Sequence, residues 1–412
     1  MKRLFIITAA LVFAAGLLSA QNSSTQVYES KYYKVYSEIS QTNAQQMAER
    51  FDAYFDLYNT YFHFDADSLS VKLKVKLLAS KESYERYLAR TVPNVKNSFV
   101  YLQYKNEEKS ELVGYYEDND TFESSLAHHG FIQYLKSFVH NPPIWMQKGF
   151  AIFFEKSAYD ESQKKVVYRE NLSWLETLKD YISKSDFANN MTELFTLADF
   201  LVLDISQAEA KVDVFYAESW GLVSFLLNSE FKSYNRILWD AIGALDKTAV
   251  KSANEQSVQA KAFNWVNPNL FQADFLNYAQ EVKSFPELVQ LGMDEYANGE
   301  FDLAQTAFTK ALTIDDTHYI PLYYLGLINY ANEDYAMAEY YYHSSIQLGG
   351  NPGLAYYALG VNSYADNRYD DAIFYLEQSS DLDPEGYGVK SGQLILRIEE
   401  EIEAADAFNG IE

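Results

Sequence analysis

Six histidines and no cysteine limit what this 412-residue chain offers to a metal ion or as a nucleophile. Two of the histidines, His128 and His129, stand side by side in LAHHGFIQYL. A helical zinc site needs two imidazoles four residues apart, so that both leave one face, with a carboxylate beside the first as general base. Position 132 is Ile132, and adjacent side chains on a helix diverge by about 100°. Sliding the register by one puts Gly130 at the base position and Gln133 at the second ligand. His63, His140, His318 and His343 have no partner at metal-ligand spacing, and the chain carries no Gly-x-Ser-x-Gly, P-loop or dinucleotide fingerprint. No metal and no cofactor are expected.

Downstream of the histidine pair the chain reads PPIWMQKGFAIFFE, where Pro142 and Pro143 break one helix and open the next. LAHHGFIQYL resembles the metal helix of gluzincin peptidases of the peptidase MA-like group. PPIWMQKGFAIFFE resembles the following helix of that group, with Trp145, Gly149, Ala151 and Glu155 in place. The resemblance continues through NLSWLETLKDYISKSDFANNMTELF, through FYAESWGLVSFLL, whose helix it places under the site, and to NLFQADFLNYAQ, similar to the closing helix. It covers residues 28–282 and implies a zincin-like domain. Carried over position by position, it puts the first ligand at His128, the general base at His129, the second histidine at Ile132 and the third ligand at Lys148. Only His128 keeps its role. An ammonium at the third position removes a donor and repels a dication. Lys148 is therefore expected to pair with Glu123 or Glu155 in place of a metal, and no catalytic residue is assigned.

The elements that must hold these residues begin with KYYKVYSEIS, a strand, and AQQMAERFDAYFDLYNTYF, whose apolar residues recur at helical spacing. SVKLKVKLLAS alternates, placing Val71, Leu73, Val75 and Leu77 on one strand face. KESYERYLAR reads as a short helix, and SFVYLQYKNEEKSELVGYYE as two strands about a charged turn. The expected fold is an α+β domain, a small mixed sheet plus helices, with the pattern turning helical after Glu123.

Near the C-terminus LGMDEY, LGLINY and LGVNSY begin at Leu291, Leu325 and Leu359, each 34 residues after the last. That period means stacked helical hairpins, and it resembles the tetratricopeptide repeat, in three units over residues 285–386. Gly292, Gly326 and Gly360, with Ala304, Ala338 and Ala372, keep the same phase and allow helices to approach closely. A capping helix is expected over 387–405. The first helices of the hairpins contain no Lys or Arg, which disfavours a basic clamp on a peptide carboxylate. They offer Ile320, Tyr323, Leu327, Tyr330, Leu354, Tyr357, Val361 and Tyr364 as an apolar, tyrosine-rich groove for a protein or peptide partner. Tyr323 and Tyr357 fall outside the hairpin-core pattern, though the last helix or the first domain is an alternative occupant.

Residues 1–20 carry Lys2, Arg3, an apolar run from Leu4 to Leu18 and small residues before Gln21, the layout of a secretory signal peptide. The protein is expected to be exported, periplasmic or extracellular, with no membrane insertion after cleavage; an uncleaved membrane anchor is the alternative, since Leu18 rather than a small residue stands three before the cut. Its 33 basic and 58 acidic residues give a formal charge of -25, which repels phosphate backbones and excludes nucleic acid as the natural partner. The expected function is that of an exported, non-catalytic pseudopeptidase scaffold binding through its repeats. The alternatives are an atypical metallopeptidase or a binder of peptide or cell-wall fragments in the former substrate cleft.

Overall fold

The computed structural model describes residues 25–92, 95–117, 119–189 and 191–409. The export segment read at residues 1–20 lies outside them. Strand β1 (Gln26–Glu29) pairs antiparallel with β2 (Tyr33–Ser37), which leads into helix α1 (Gln41–Phe62). Ser40 caps α1 by accepting from the Asn43 N–H, and His63 ends it in the left-handed region at φ 51°. Then come β3 (Leu73–Leu78), α2 (Lys81–Leu88), β4 (Phe99–Leu102) and β5 (Glu111–Tyr115). The sheet order is β1-β2-β3-β5-β4, with β2, β3 and β5 parallel and the two edge strands antiparallel.

The mixed sheet is thus present where alternation predicts it. Leu73, Val75 and Leu77 are buried on one face, whereas Val71 precedes β3 and is only half-buried. The other face packs Leu78, Leu102, Val113 and Tyr115 against Tyr84 and Leu88 of α2. On the first face lie α1, which buries Phe51, Tyr54, Phe55 and Tyr58, and α3 (Asp120–Phe138). Rings dominate this layer: Phe55 meets Tyr134 edge-on with centroids 5.0 Å apart, and Tyr58 meets Phe131 at 5.4 Å.

Helix α4 (Ile144–Phe154) follows the proline pair, and a two-stranded hairpin, β6 (Ala158–Asp160) and β7 (Lys165–Val167), interrupts the helical run. Next are α5 (Leu175–Ser183), α6 (Leu197–Phe200), α7 (Ile205–Ala210), α8 (Val212–Asn228), α9 (Lys232–Ile242), α10 (Lys251–Val258) and α11 (Pro268–Glu281). One apolar core is continuous from Tyr33 to Ala279, so sheet and helices to this point form one unit.

Beyond it the chain is all helical: α12 (Phe285–Ala297) with α13 (Phe301–Ile314), α14 (Tyr319–Ala331) with α15 (Tyr335–Gln347), and α16 (Pro352–Ala365) with α17 (Tyr369–Leu382). A Cβ built on Gly292, Gly326 or Gly360 would lie 2.7, 2.4 or 2.6 Å from Phe308, Tyr342 or Leu376 of the second helix, so the in-phase glycines are where each hairpin closes. The hairpin turns also repeat in backbone, with positive φ at Gly299, Glu333 and Asn367. The capping helix, α18, is longer than its apolar stripe implies and spans Pro384–Asn409. Lys179 to Glu287 at 2.9 Å and Arg169 to Asp316 at 3.3 Å tie the first domain to the first hairpin.

Candidate functional site

Helix α3 starts at Asn119, whose side chain accepts from the Phe122 N–H, and it carries His128, His129 and Ile132. α4 returns beside it bearing Lys148. A Cβ on Gly149 would lie 2.2 Å from the Ser219 carbonyl oxygen of α8 and 2.7 Å from Val223. The glycine therefore permits the α4–α8 crossing, and the YAESW helix packs against α4 beside Lys148. Tyr216 of α8 presents its ring 4.2 Å from Lys148 Nζ, a cation–π contact.

Lys148 does not pair with Glu123 or Glu155 as the sequence leads one to expect. Its Nζ lies 3.3 Å from His128 Nε2. Glu123 is engaged instead by Arg50, which also holds Glu161 at 2.9 Å. Glu155 faces the other imidazole nitrogen, with Oε1 3.8 Å from Nδ1. An ammonium only donates, so Nε2 accepts and the ring proton belongs on Nδ1, toward Glu155. Burial, reinforced by the charges of Lys148 and His129, pushes His128 well below the usual histidine range. Burial and then Lys148 bring His129 down to about 3. Glu155 is raised by burial, against the pull of Lys148, Lys156 and the Asn171 amide at 3.2 Å.

The positions carried over by the resemblance thus converge in part. His128 and Lys148 meet, His129 holds its ring 5.0 Å from that of His128, and Ile132 packs half-buried against the apolar core. This set does not fit zinc: the nitrogen that would coordinate is occupied by a cationic donor, and the next position along the face is a hydrocarbon. Among the described residues no three His, Asp, Glu or Cys side chains group as metal ligands. His140 pairs with Glu107 at 3.1 Å, and His343 approaches Glu339 at 3.8 Å.

Cavities lie at both ends of the row formed by Lys148, His128 and Glu155. A cleft of about 540 Å³, lined by Glu123, Glu155, Arg169, Glu170, Phe285 and Asp315 among others, lies between the first domain and the first hairpin. A pocket of about 320 Å³ borders Lys148 and Tyr216. Sequence reasoning named Glu155 as a motif residue and as an expected partner of Lys148, and missed Tyr216, although the YAESW helix was the signal for it. It also missed Glu218, 6% exposed, which accepts from the Phe195 N–H at 3.1 Å and is raised to about 8, chiefly by burial.

The eight groove residues are all half-buried. Tyr323 and Tyr357 are not outside the packing. Tyr323 lies against Tyr342, centroids 5.8 Å apart, and Tyr357 against Tyr387 of α18 at 5.2 Å. Leu327 and Tyr330 join the Tyr342 cluster, and Ile320 packs into the first hairpin's core. Tyr364 donates to Glu401 of α18 at 2.7 Å. The last helix thus covers part of the stripe. Of the eight, Leu354 and Val361 belong to none of the repeat core clusters. No described helix is long and apolar enough to cross a membrane.

A family described as a protein of unknown function (DUF1570) matches residues 127–247, the span from α3 beyond α9. No curated protein matches. Among solved structures, 29% of this chain covers 93% of the first tetratricopeptide domain of Spaghetti (RPAP3) bound to an HSP90 peptide, at 18% identity and a TM-score of 0.27. MamA from Desulfovibrio magneticus RS-1, residues 41 to the end, is covered for 90% of its length by 38% of this chain, at 22% identity and a TM-score of 0.28. A MamA RS-1 double mutant gives 88%, 37%, 21% and 0.28 in the same order.

Proposed function

We propose that the protein is an exported, non-catalytic scaffold. Its first domain is a zincin-like peptidase fold that has exchanged its metal for a lysine–histidine contact, and its repeats hold another protein or peptide. The observation that carries this reading is Lys148 Nζ seated 3.3 Å from His128 Nε2, the atom that would otherwise reach a metal. The α4–α8 crossing at Gly149 supports the zincin-like part, and Leu354 and Val361, half-buried, outside the repeat core clusters and on a first helix without basic residues, support an apolar partner surface.

The decisive experiment has two arms. Wild type incubated with Zn²⁺ and freed of excess should retain far less than one equivalent, and chelator should leave its melting temperature unchanged; one equivalent held at His128 refutes the reading. The variant His129→Glu, Ile132→His, Lys148→Glu restores a complete ligand set and should take up zinc near one equivalent. Failure to do so in a folded protein refutes zincin-like geometry. For the repeats, Leu354→Ser with Val361→Ser should release the partner recovered by crosslinking to wild type, and unchanged recovery of that partner removes the groove.

The junction cleft of about 540 Å³ favours one second reading, a binder of peptide or cell-wall fragments there. Cleft variants would then lose a ligand that groove variants keep.

A further inference from the structure

The pocket beside Lys148 has a charge balance opposite to that of the chain. In a protein of formal charge -25, Lys136, Lys148 and Lys251 line it against a single carboxylate, Glu209. Lys251 is already neutralised, its Nζ 2.5 Å from Glu255 Oε1 and 2.8 Å from the Leu203 carbonyl. Lys148 and Lys136 are not, because their hydrogen bonds go to uncharged acceptors, His128 Nε2 at 3.3 Å and Gln103 Oε1 at 3.0 Å. A half-buried ammonium with no carboxylate in contact is electrostatically incomplete, and an anion from solution completes it. Besides the uncharged polar side chains of Asn141 and Gln147 and the Tyr216 ring, the wall is apolar, formed by Pro142, Ile144, Ile205, Ala208, Val212 and Phe215. Ile205 is 64% exposed and Val212 41% exposed at the rim.

We propose that this pocket binds a small carboxylate carrying an apolar chain. Its head rests on Lys148, with Lys136 adding to the field, and its chain lies along Ile144, Ile205, Val212 and Phe215. The Tyr216 ring, 4.2 Å from Lys148 Nζ, helps hold the ammonium toward the head group. At about 320 Å³ the pocket lies at the small end of ligand sites, the size of a terminal peptide residue or a medium fatty acid. Both sources share the chemistry of an amphiphilic carboxylate. No repeat residue lines the pocket, so the inference does not depend on the partner surface proposed above.

Calorimetric titration of the full chain with sodium decanoate and with N-acetyl-Phe-Leu bearing a free carboxylate tests the site and distinguishes the two sources. At least one acid should bind saturably and one to one. Affinity should fall about tenfold or more when decanol or the peptide amide replaces the acid, and likewise in Lys148→Met. Ile205→Asp changes an exposed rim residue and sets a charge of the acid's own sign in the apolar wall along which the chain lies. It should weaken binding about fivefold and decides the matter if Lys148→Met fails to fold. No saturable binding of either acid overturns the proposal, as does undiminished binding to both variants.

Discussion

Gly149→Ala sets two effects of opposite sign against each other. In an exposed helix interior the exchange stabilises by about 1 kcal/mol, because glycine loses more backbone entropy on folding. In α4 the added Cβ would sit 2.2 Å from the Ser219 carbonyl oxygen and 2.9 Å from its carbon, in both cases backbone, and 2.7 Å from Val223 Cγ2. No rotamer relieves contact with backbone, so α4 and α8 must part by roughly 1 Å to restore van der Waals separation. Overpacking costs roughly 1–3 kcal/mol, and a rigid obstacle puts this case at the upper end. The net expectation is a loss of about 2 kcal/mol. Trp145, Trp174, Trp220, Trp239 and Trp265 are all the tryptophans of the chain and all lie before the repeats. Their fluorescence in urea therefore reads the first domain alone. With a slope of roughly 2–3 kcal/mol per molar, the midpoint should fall by roughly 0.7–1 M at unchanged slope. An unchanged or raised midpoint would refute the close-approach argument and leave only helix propensity.

Two further outcomes follow from buried charge and from backbone. Glu218 is raised from its ordinary 4.5 to about 8, so its contribution to stability is complete below about pH 4.5 and is lost as pH rises toward 8. The urea midpoint of wild type should decline across that window relative to Glu218→Gln, which can still accept from the Phe195 N–H; parallel curves would contradict the burial account. Glu333 adopts φ 63° at the turn where the preceding hairpin has Gly299 at φ 79°. Glu333→Gly should stabilise the repeats by about 1 kcal/mol, read as a higher thermal midpoint in circular dichroism, and a lowered midpoint would count against strain at that turn.

What the sequence disclosed follows the reach of the forces involved. The hairpin array was legible because the constraint at Gly292 recurs at Gly326 and Gly360, and in each case a bulky side chain of the partner helix fills the space. The mixed sheet was legible in β3, where Leu73, Val75 and Leu77 alternate with lysines. β1 and the β6–β7 hairpin were not, since strands of three or four half-exposed residues carry no periodic signal. At the site, the meeting of His128 with Lys148 could be inferred from aligned motifs. The lysine's choice of partner could not, because it depends on Arg50 having taken Glu123 from 73 residues away. The packing of Tyr357 on Tyr387 was hidden for a similar reason: α18 begins at Pro384, earlier than its apolar stripe announces.

The row of Lys148, His128 and Glu155 runs from one cavity to another, with the ammonium bordering the first and the carboxylate the second. Glu155 is drawn toward ionisation by the Lys148 charge and held back by burial. A negative guest beside Lys148 cancels that attraction, and Glu155 then takes up a proton more readily on the far side. An anion in the pocket beside Lys148 would thereby be felt at the cleft where the first hairpin begins, with no backbone displacement needed to carry the influence.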